Sequence, residues 1–266
     1  MNRPGTGKMA LITGASSGIG QALAEEFARD GFDLALAARS RERLEEIAGS
    51  LRAKHGIQAR VFVADLSLAE AADQLAAALQ KSGLEIDVLV NNAGFGDNGL
   101  FAEGQWGTYQ QMIQLNIASL VRLTHLLLPK MVGRRSGRVM NVGSTGSFVP
   151  VPYMAVYGAT KAFVLSFTEA LAAELRGTGV TVTALCPGAT VTRFANRAKA
   201  EKTILFQNNT MTAEVVARMG YQALMRGKTR VVTGWFNKLM IGSLRLVTRD
   251  QALALSLKFM KPQSVA

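Results

Sequence analysis

The segment Met9-Ala10-Leu11-Ile12-Thr13-Gly14-Ala15-Ser16-Ser17-Gly18-Ile19-Gly20 decides the fold. A strand-like run, Met9–Thr13, leads into glycines at GxxxGxG spacing, and an apolar helical pattern follows over Gly18–Asp30. A turn this tight needs glycine where the backbone bends and where another group must come close. The free N–H groups and positive end of the helix behind it stabilise a pyrophosphate. Gly14, Ser16, Ser17, Gly18, Ile19 and Gly20 are therefore candidate dinucleotide contacts. The spacing departs from the general GxGxxG fingerprint, so its weight comes from its place between a first strand and a first helix.

Outward from that turn the same rhythm repeats. Strand-like runs at Phe32–Ala37, Gln58–Val63, Ile86–Val90, Arg138–Val142 and Val180–Cys186 alternate with helical patterns at Arg41–Lys54, Leu68–Lys81, Met112–Leu128 and Ala155–Arg176. The strands are apolar runs, as expected where helices cover both faces of a parallel sheet. The expectation is an α/β fold: one doubly wound Rossmann-type domain over residues 1–266 with a mainly parallel sheet flanked by helices. Beyond Cys186 the rhythm weakens into a substrate-loop region at 189–211, a helix, a short strand Arg230–Val232 and a basic, amphipathic C-terminal segment at 235–266.

Ligands of such sheets lie beyond the carboxyl ends of the strands. The second strand ends in Ala37-Ala38-Arg39-Ser40, without the acid that would hold a ribose 2′-hydroxyl. A guanidinium there can pair with a 2′-phosphate, which points to NADP(H); the other reading has Arg39 decorating the start of a charged helix. Asp65, with Leu66 beside it after the third strand, is placed to accept from an adenine amino group or to serve as an N-cap or turn residue. Asn91-Asn92-Ala93-Gly94 after the fourth strand is either an ordinary turn or a place where small residues let the cofactor pass.

Tyr157 and Lys161 are four apart in a helical segment and share one face. An ammonium beside a phenol lowers its pKa from near 10, so the pair can deliver or accept a proton. Ser144 follows the fifth strand and can polarise a substrate oxygen or act as a turn residue. Asn116 is polar inside an apolar helical pattern, where it needs a partner and holds a water or a backbone bend.

Thr13–Gly20, Asn91–Gly94, Asn116, Ser144, Tyr157, Lys161 and Pro187-Gly188-Ala189-Thr190-Val191-Thr192 stand in an order that resembles the short-chain dehydrogenase/reductase family in its core form, over roughly residues 8 to 192. The resemblance implies an NADP(H)-dependent interconversion of a ketone or aldehyde with an alcohol. In it Tyr157 is the general acid/base, Ser144 orients the carbonyl, and Lys161 lowers the tyrosine pKa and binds nicotinamide ribose. Asn116 sustains a water relay. Asn92, Ala93, Gly94, Pro187, Gly188, Thr190 and Thr192 join the cofactor contacts. It also implies a homodimer or homotetramer. Similarity to steroid and acyl-chain reductases implies a hydrophobic substrate, with Phe194, Ile204, Leu205 and Phe206 among Arg197, Lys199 and Lys202 around it, and Phe95 and Phe148 as further aromatic walls. The rival reading is a non-catalytic NADP(H)-binding sensor or scaffold.

Two histidines, His55 and His125, are too few for a metal site. The one cysteine, Cys186, closes an apolar run and fits a buried structural thiol better than a nucleophile. No apolar run approaches the roughly 18 residues of a membrane span. Met1–Lys8 is polar and lacks a signal peptide's apolar stretch, so the expected compartment is the cytoplasm. The net charge of +11 is concentrated late: residues 193–266 hold 13 Lys+Arg against 3 Asp+Glu, and residues 1–192 hold 17 against 16. No nucleic-acid motif accompanies that charge. The C-terminal segment leaves two readings open, a helix on an anionic membrane surface or one packed on the domain or a second subunit.

Overall fold

The computed structural model describes residues 3–192, 194, 198 and 210–260. The first apolar run forms β1 (Met9–Thr13), buried along its whole length. With β2 (Asp33–Ala38), β3 (Ala59–Val63), β4 (Val88–Asn91), β5 (Gly137–Val142), β6 (Val180–Cys186) and β9 (Arg230–Val232) it builds a seven-stranded sheet. The order is β3-β2-β1-β4-β5-β6-β9 and every pairing is parallel. The remaining strands, β7 (Thr190–Val191) and β8 (Met211–Thr212), form a separate parallel pair inside the expected substrate region.

The helices are α1 (Gly18–Arg29), α2 (Arg41–His55), α3 (Ala71–Lys81), α4 (Trp106–Ile113), α5 (Ser119–Gly133), α6 (Ala155–Glu174), α7 (Ala213–Met225), α8 (Trp235–Ser243) and α9 (Arg249–Met260). The sheet separates two apolar layers. Leu23, Phe27, Leu44, Val216 and Leu224 fill one, and Leu75, Leu79, Leu123 and Met131 fill the other. Phe27 meets Phe32 and Tyr221 edge-on at 5.1 and 4.9 Å, fixing α1 against α7.

Some boundaries moved for identifiable reasons. Helix α3 starts at Ala71 rather than Leu68 because Asp65 first closes a turn. Its Oδ1 accepts from the Ser67 N–H at 3.1 Å and the Ser67 hydroxyl at 2.7 Å. Helices α4 and α5 are one run, Trp106–Gly133, broken by a π-turn at Gln114–Ala118. That run is long and apolar enough to cross a membrane, yet Leu123 and Met131 bury themselves in the core beside Leu89 and Val139.

One buried polar ladder crosses the sheet. Asn91 and Asn141 are register partners on β4 and β5. The Asn91 amide donates to Asn141 Oδ1 at 2.9 Å and Thr124 Oγ1 at 3.0 Å, and the Asn141 amide donates to Thr168 Oγ1 at 3.0 Å. The two threonines pass their protons to Leu120 and Val164 carbonyls. Each partner satisfies the next, so the ladder ties the two central strands to α5 and α6. Strand order reverses between β1 and β4, and the crevice at a reversal is where such sheets place ligands.

Candidate active site

A cleft of ≈ 770 Å³ opens along the carboxyl ends of the strands. Of the residues expected at a cofactor, Gly14, Ser16, Ser17, Gly18, Ile19, Arg39, Asp65, Leu66, Asn92, Ala93, Gly94, Tyr157, Lys161, Pro187, Gly188, Thr190 and Thr192 line it. Gly20 does not. A Cβ there would lie 2.3 Å from the Gly14 carbonyl oxygen, so this glycine lets α1 pack on the turn instead of meeting a ligand.

The turn itself is held from behind. Thr13 Oγ1 donates to the Val90 carbonyl at 3.1 Å and accepts from the Asn92 and Ala93 N–H groups, both at 3.0 Å. The Asn92 amide donates to the Thr13 carbonyl at 2.9 Å and the Gly14 carbonyl at 3.2 Å. Gly14 is left-handed at φ +66, and a Cβ on it would come within 2.8 Å of Asn92 Nδ2. Ser17 at the start of α1 caps no first-turn N–H with its side chain, and no acid lies in that turn. The resulting set of bare backbone donors and small residues fits a dinucleotide pyrophosphate.

Arg39 stands outside α2, whose N-cap is Ser40, and its guanidinium is 4.0 Å from the Asp65 carboxylate. It therefore faces the cleft rather than decorating the helix, with 57% of its side chain exposed there. A cation at this end suits a 2′-phosphate. Asp65 combines its turn role with a place in the same wall.

At the other end stand Ser144, Tyr157 and Lys161. Ser144 starts a short 3₁₀ turn, and its Oγ accepts from the Gly146 N–H at 3.0 Å while its own N–H donates to Ser147 Oγ at 3.1 Å. Its hydroxyl also hydrogen-bonds the Tyr157 hydroxyl. Lys161 is 5% exposed, and its Nζ donates to the Val142 carbonyl at 2.8 Å. The Nζ is 5.8 Å from the centre of the Tyr157 ring.

These distances change one expectation. At Tyr157, burial and not the lysine dominates. Burial pushes the Tyr157 hydroxyl from 10.0 up to about 12, and the Ser144 hydrogen bond is what pulls the other way. Burial also draws the Lys161 ammonium down from 10.5 to about 8. Desolvation acts on both groups against their charged forms.

Asn116 lies in the π-turn, 1% exposed and behind the cleft wall. Its amide donates to the Phe95 carbonyl and to Thr160 Oγ1, each at 3.0 Å, while its Oδ1 accepts from the Phe95 N–H at 3.2 Å. Thr160 Oγ1 donates to the Tyr157 carbonyl at 2.7 Å. Both amide protons are committed, so the side chain holds a backbone bend and positions the Tyr157 turn rather than reaching a reacting atom.

Of the four residues at the Tyr157 end, Phe194 was expected from the sequence, and the other three carried no signal of their own. Val151, Met154, Phe194 and Met260 close the Tyr157 end. Phe194 packs at 5.4 Å from the Tyr157 ring. The other expected pocket residues, Ile204, Leu205, Phe206, Arg197, Lys199 and Lys202, lie outside the described residues. Neither Phe95 nor Phe148 lines the cleft: Phe95 packs in the core with Tyr109 and Met112, and the partly buried Phe148 packs against Leu165 and Cys186. Cys186 is fully buried and its thiol is pushed up to about 12 by that burial, which leaves it protonated and inert.

The C-terminal segment reaches the site through few points. Gly188 makes room for Asn237, whose Nδ2 would be 2.3 Å from a Cβ at 188. Asn237 and Met260 are the buried residues of α8 and α9. Trp235, Leu239 and Leu246 stay 77%, 65% and 88% exposed. Among the described residues, the expectation that this segment packs on its own domain is met at those two residues and at Ser256, whose hydroxyl donates to the Pro150 carbonyl at 2.8 Å.

The short chain dehydrogenase family model matches residues 8–203. A very-long-chain 3-oxoacyl-CoA reductase of Anas platyrhynchos is 37% identical over 201 residues, covering 74% of this chain and 64% of that protein. The chain thus spans less than two thirds of that relative's length. A short-chain dehydrogenase from Sphingobium yanoikuyae in complex with NADPH superposes with a TM-score of 0.81 at 32% identity, over 97% of this chain and 98% of its own. A 7beta-hydroxysteroid dehydrogenase structure gives 0.84 at 28% identity, over 96% and 99%.

Proposed function

Because the chain belongs to the short-chain dehydrogenase/reductase family, we propose that it is an NADP(H)-dependent oxidoreductase that reduces the carbonyl of a hydrophobic substrate to an alcohol. The observation that carries this is the convergence of the Ser144 and Tyr157 hydroxyls beside the buried Lys161 at one end of a dinucleotide-shaped cleft. The glycine turn would hold the pyrophosphate, Arg39 the 2′-phosphate, and Lys161 with Pro187–Thr192 the nicotinamide end. NADPH, when bound, supplies the hydride. Ser144 orients the carbonyl oxygen, and Tyr157, holding its proton at neutral pH, delivers it there. Lys161 places positive charge beside that oxygen in a water-poor site, where charge acts strongly. Asn116 and Thr160 fix the turn that carries Tyr157.

The apolar wall of Val151, Met154, Phe194 and Met260 supports a hydrophobic ketone. The named activities of the acyl-CoA reductase and the hydroxysteroid dehydrogenase agree with that class. Tyr157→Phe is the test. Removing a general acid costs about 10² to 10⁴ in rate, so NADPH-linked ketone reduction should collapse while NADPH binding, followed by its fluorescence, persists. Undiminished turnover would refute the assignment, and cofactor binding with no turnover in the parent protein would favour the sensor reading.

Exposed Trp235, Leu239 and Leu246 lie among exposed Lys238, Arg245, Arg249 and Lys258. This mixture supports a peripheral contact of α8 and α9 with an anionic membrane surface on the cytoplasmic side. Exposed Trp106, Ile113 and Phe163 on α4 and α6 support a homo-oligomeric contact.

A further inference from the structure

Gly188 lines the cleft and Asn237, on α8, does not, yet the two are in contact. A Cβ at Gly188 would lie 2.3 Å from Asn237 Nδ2, 2.9 Å from its Cγ and 3.0 Å from its Oδ1. The amide therefore fills the space where any other residue at 188 would put its side chain. On the reading of Pro187–Thr192 as the nicotinamide segment, we propose that Asn237 is a positioning residue for that end of the cofactor. It sets how far the Gly188 backbone stands into the cleft, and so where the hydride stands relative to Tyr157.

The hydrogen bonds along the segment show why support is needed at this point. The Cys186 carbonyl accepts from the Thr233 N–H at 3.3 Å, that of Pro187 from the Thr145 N–H at 2.8 Å and that of Ala189 from the Met211 N–H at 3.0 Å. Each of these is tied to another element. The Gly188 carbonyl instead accepts from Thr190 Oγ1 at 2.9 Å, a bond within the segment. Glycine is also the residue with the greatest backbone freedom. The Asn237 side chain meets it from outside the segment and limits that freedom on one side. Because Pro187 is bonded to the residue after Ser144, a shift at Gly188 acts between the nicotinamide and the hydroxyl that orients the carbonyl.

Asn237 is itself held. It is the buried residue of α8, and its Nδ2 donates to the Thr233 carbonyl at 2.8 Å, one turn back. That bond fixes the orientation of the amide, which a rigid stop requires. Gly234, left-handed at φ +81, starts the helix, and a Cβ on it would come within 3.0 Å of Met211 Sδ and 3.3 Å of Asn237 Nδ2. The close start seats α8 against β8, whose Met211 holds the Ala189 carbonyl. Residues 188 and 189 thus rest on one corner made by α8 and β8.

Calorimetry on the full chain compares NADP⁺ with 2′,5′-ADP, which carries the adenosine and 2′-phosphate but no nicotinamide. Asn237→Ala should weaken NADP⁺ about three- to tenfold, the worth of about one buried hydrogen bond, and leave 2′,5′-ADP unchanged. With NADPH and a ketone, kcat should fall about tenfold or more while KM for the ketone moves little, since misplacement by about 1 Å costs on the order of 10² in rate. Gly188→Ala, whose Cβ collides with Asn237, should show the same split between ligands. Adding Asn237→Ala makes room for that methyl, so the double variant should bind NADP⁺ more tightly than Gly188→Ala alone. Asn237→Ser gives a milder shortening should the alanine variant fold poorly, and 2′,5′-ADP binding checks folding in each. Equal losses for both ligands, as a general loosening would give, overturn the proposal, as does NADP⁺ binding that no Asn237 variant alters. A double variant weaker than Gly188→Ala alone overturns it too. The split between ligands without turnover of any ketone by the parent protein leaves Asn237 in its role and removes the reductase reading instead.

Discussion

Lys161→Met should change how stability depends on pH, and the structure fixes both sign and size. Lys161 is 5% exposed, and burial lowers its ammonium from 10.5 to about 8. Between those values the unfolded chain holds a proton that the folded protein releases, so stability rises with pH through this window. A shift of about 2.5 units at about 1.4 kcal/mol each means that about 3 kcal/mol is missing near pH 7 and recovered near pH 10.5. Methionine keeps most of the stem but does not titrate. Its loss of the bond to the Val142 carbonyl is a pH-independent cost of about 1–3 kcal/mol. The unfolding free energy of the parent minus that of the variant should therefore grow by about 3 kcal/mol across the window. Cys186 and Tyr157 have raised folded values, from 9.0 and 10.0 to about 12, so their contribution is lost as pH rises through those ranges. They are present in both proteins and largely cancel in the difference. Urea unfolding by intrinsic fluorescence, at fixed salt and protein concentration, measures it. A difference that stays flat with pH would refute a desolvated Lys161.

Arg39→Ala removes the cation placed for the 2′-phosphate. A charge-assisted hydrogen bond is worth about 1.5–3 kcal/mol, so kcat/KM with NADPH should fall roughly ten- to hundredfold while that with NADH barely moves. Equal losses with both cofactors would remove the assignment. Sedimentation velocity with and without phosphatidylserine vesicles tests the two surface contacts together. Trp235→Ser with Leu239→Ser should abolish vesicle binding and leave the oligomer intact, and dissociation of the oligomer by that pair would make α8 a subunit contact instead.

The parallel sheet was legible because each of its central strands is a short apolar run ending in small or polar residues. The glycine turn, Tyr157 and Lys161 were legible because their spacing combines with their order along the chain, the turn falling between a first strand and a first helix. The reach of Met260 into the cleft was not. It depends on where α9 lies relative to Met154 and Phe194, a contact across the chain that no local pattern encodes. Asn141 likewise vanished into an apolar strand, since its partner Asn91 belongs to another strand and their pairing is a matter of register. For Asn116 the residue type announced a need for partners, but the chain alone did not reveal that Phe95 and Thr160 would use both amide protons. That burial outweighs the lysine at Tyr157 was hidden for a related reason. Four-residue spacing sets a shared face, whereas the Val142 carbonyl sets where the ammonium points.

That balance bears on how the site meets a developing charge. A site built around a resting phenolate would hold Tyr157 below its ordinary value; here burial raises it to about 12, so the proton stays on the oxygen throughout the neutral range. Lys161, at about 8, still carries its charge near pH 7 in spite of burial. A carbonyl accepting hydride develops negative charge on its oxygen, and a protonated tyrosine hydrogen-bonded to Ser144 beside a buried ammonium complements that oxygen. Such groups gain most from the low dielectric when the charge appears and little before it, which is the condition for lowering a barrier rather than tightening the ground state. Oxidation of an alcohol passes through the same transition state in reverse, so the same groups serve it. The desolvation that weakens the fold around Lys161 near neutral pH is thus the same desolvation that strengthens its charge at the reacting oxygen.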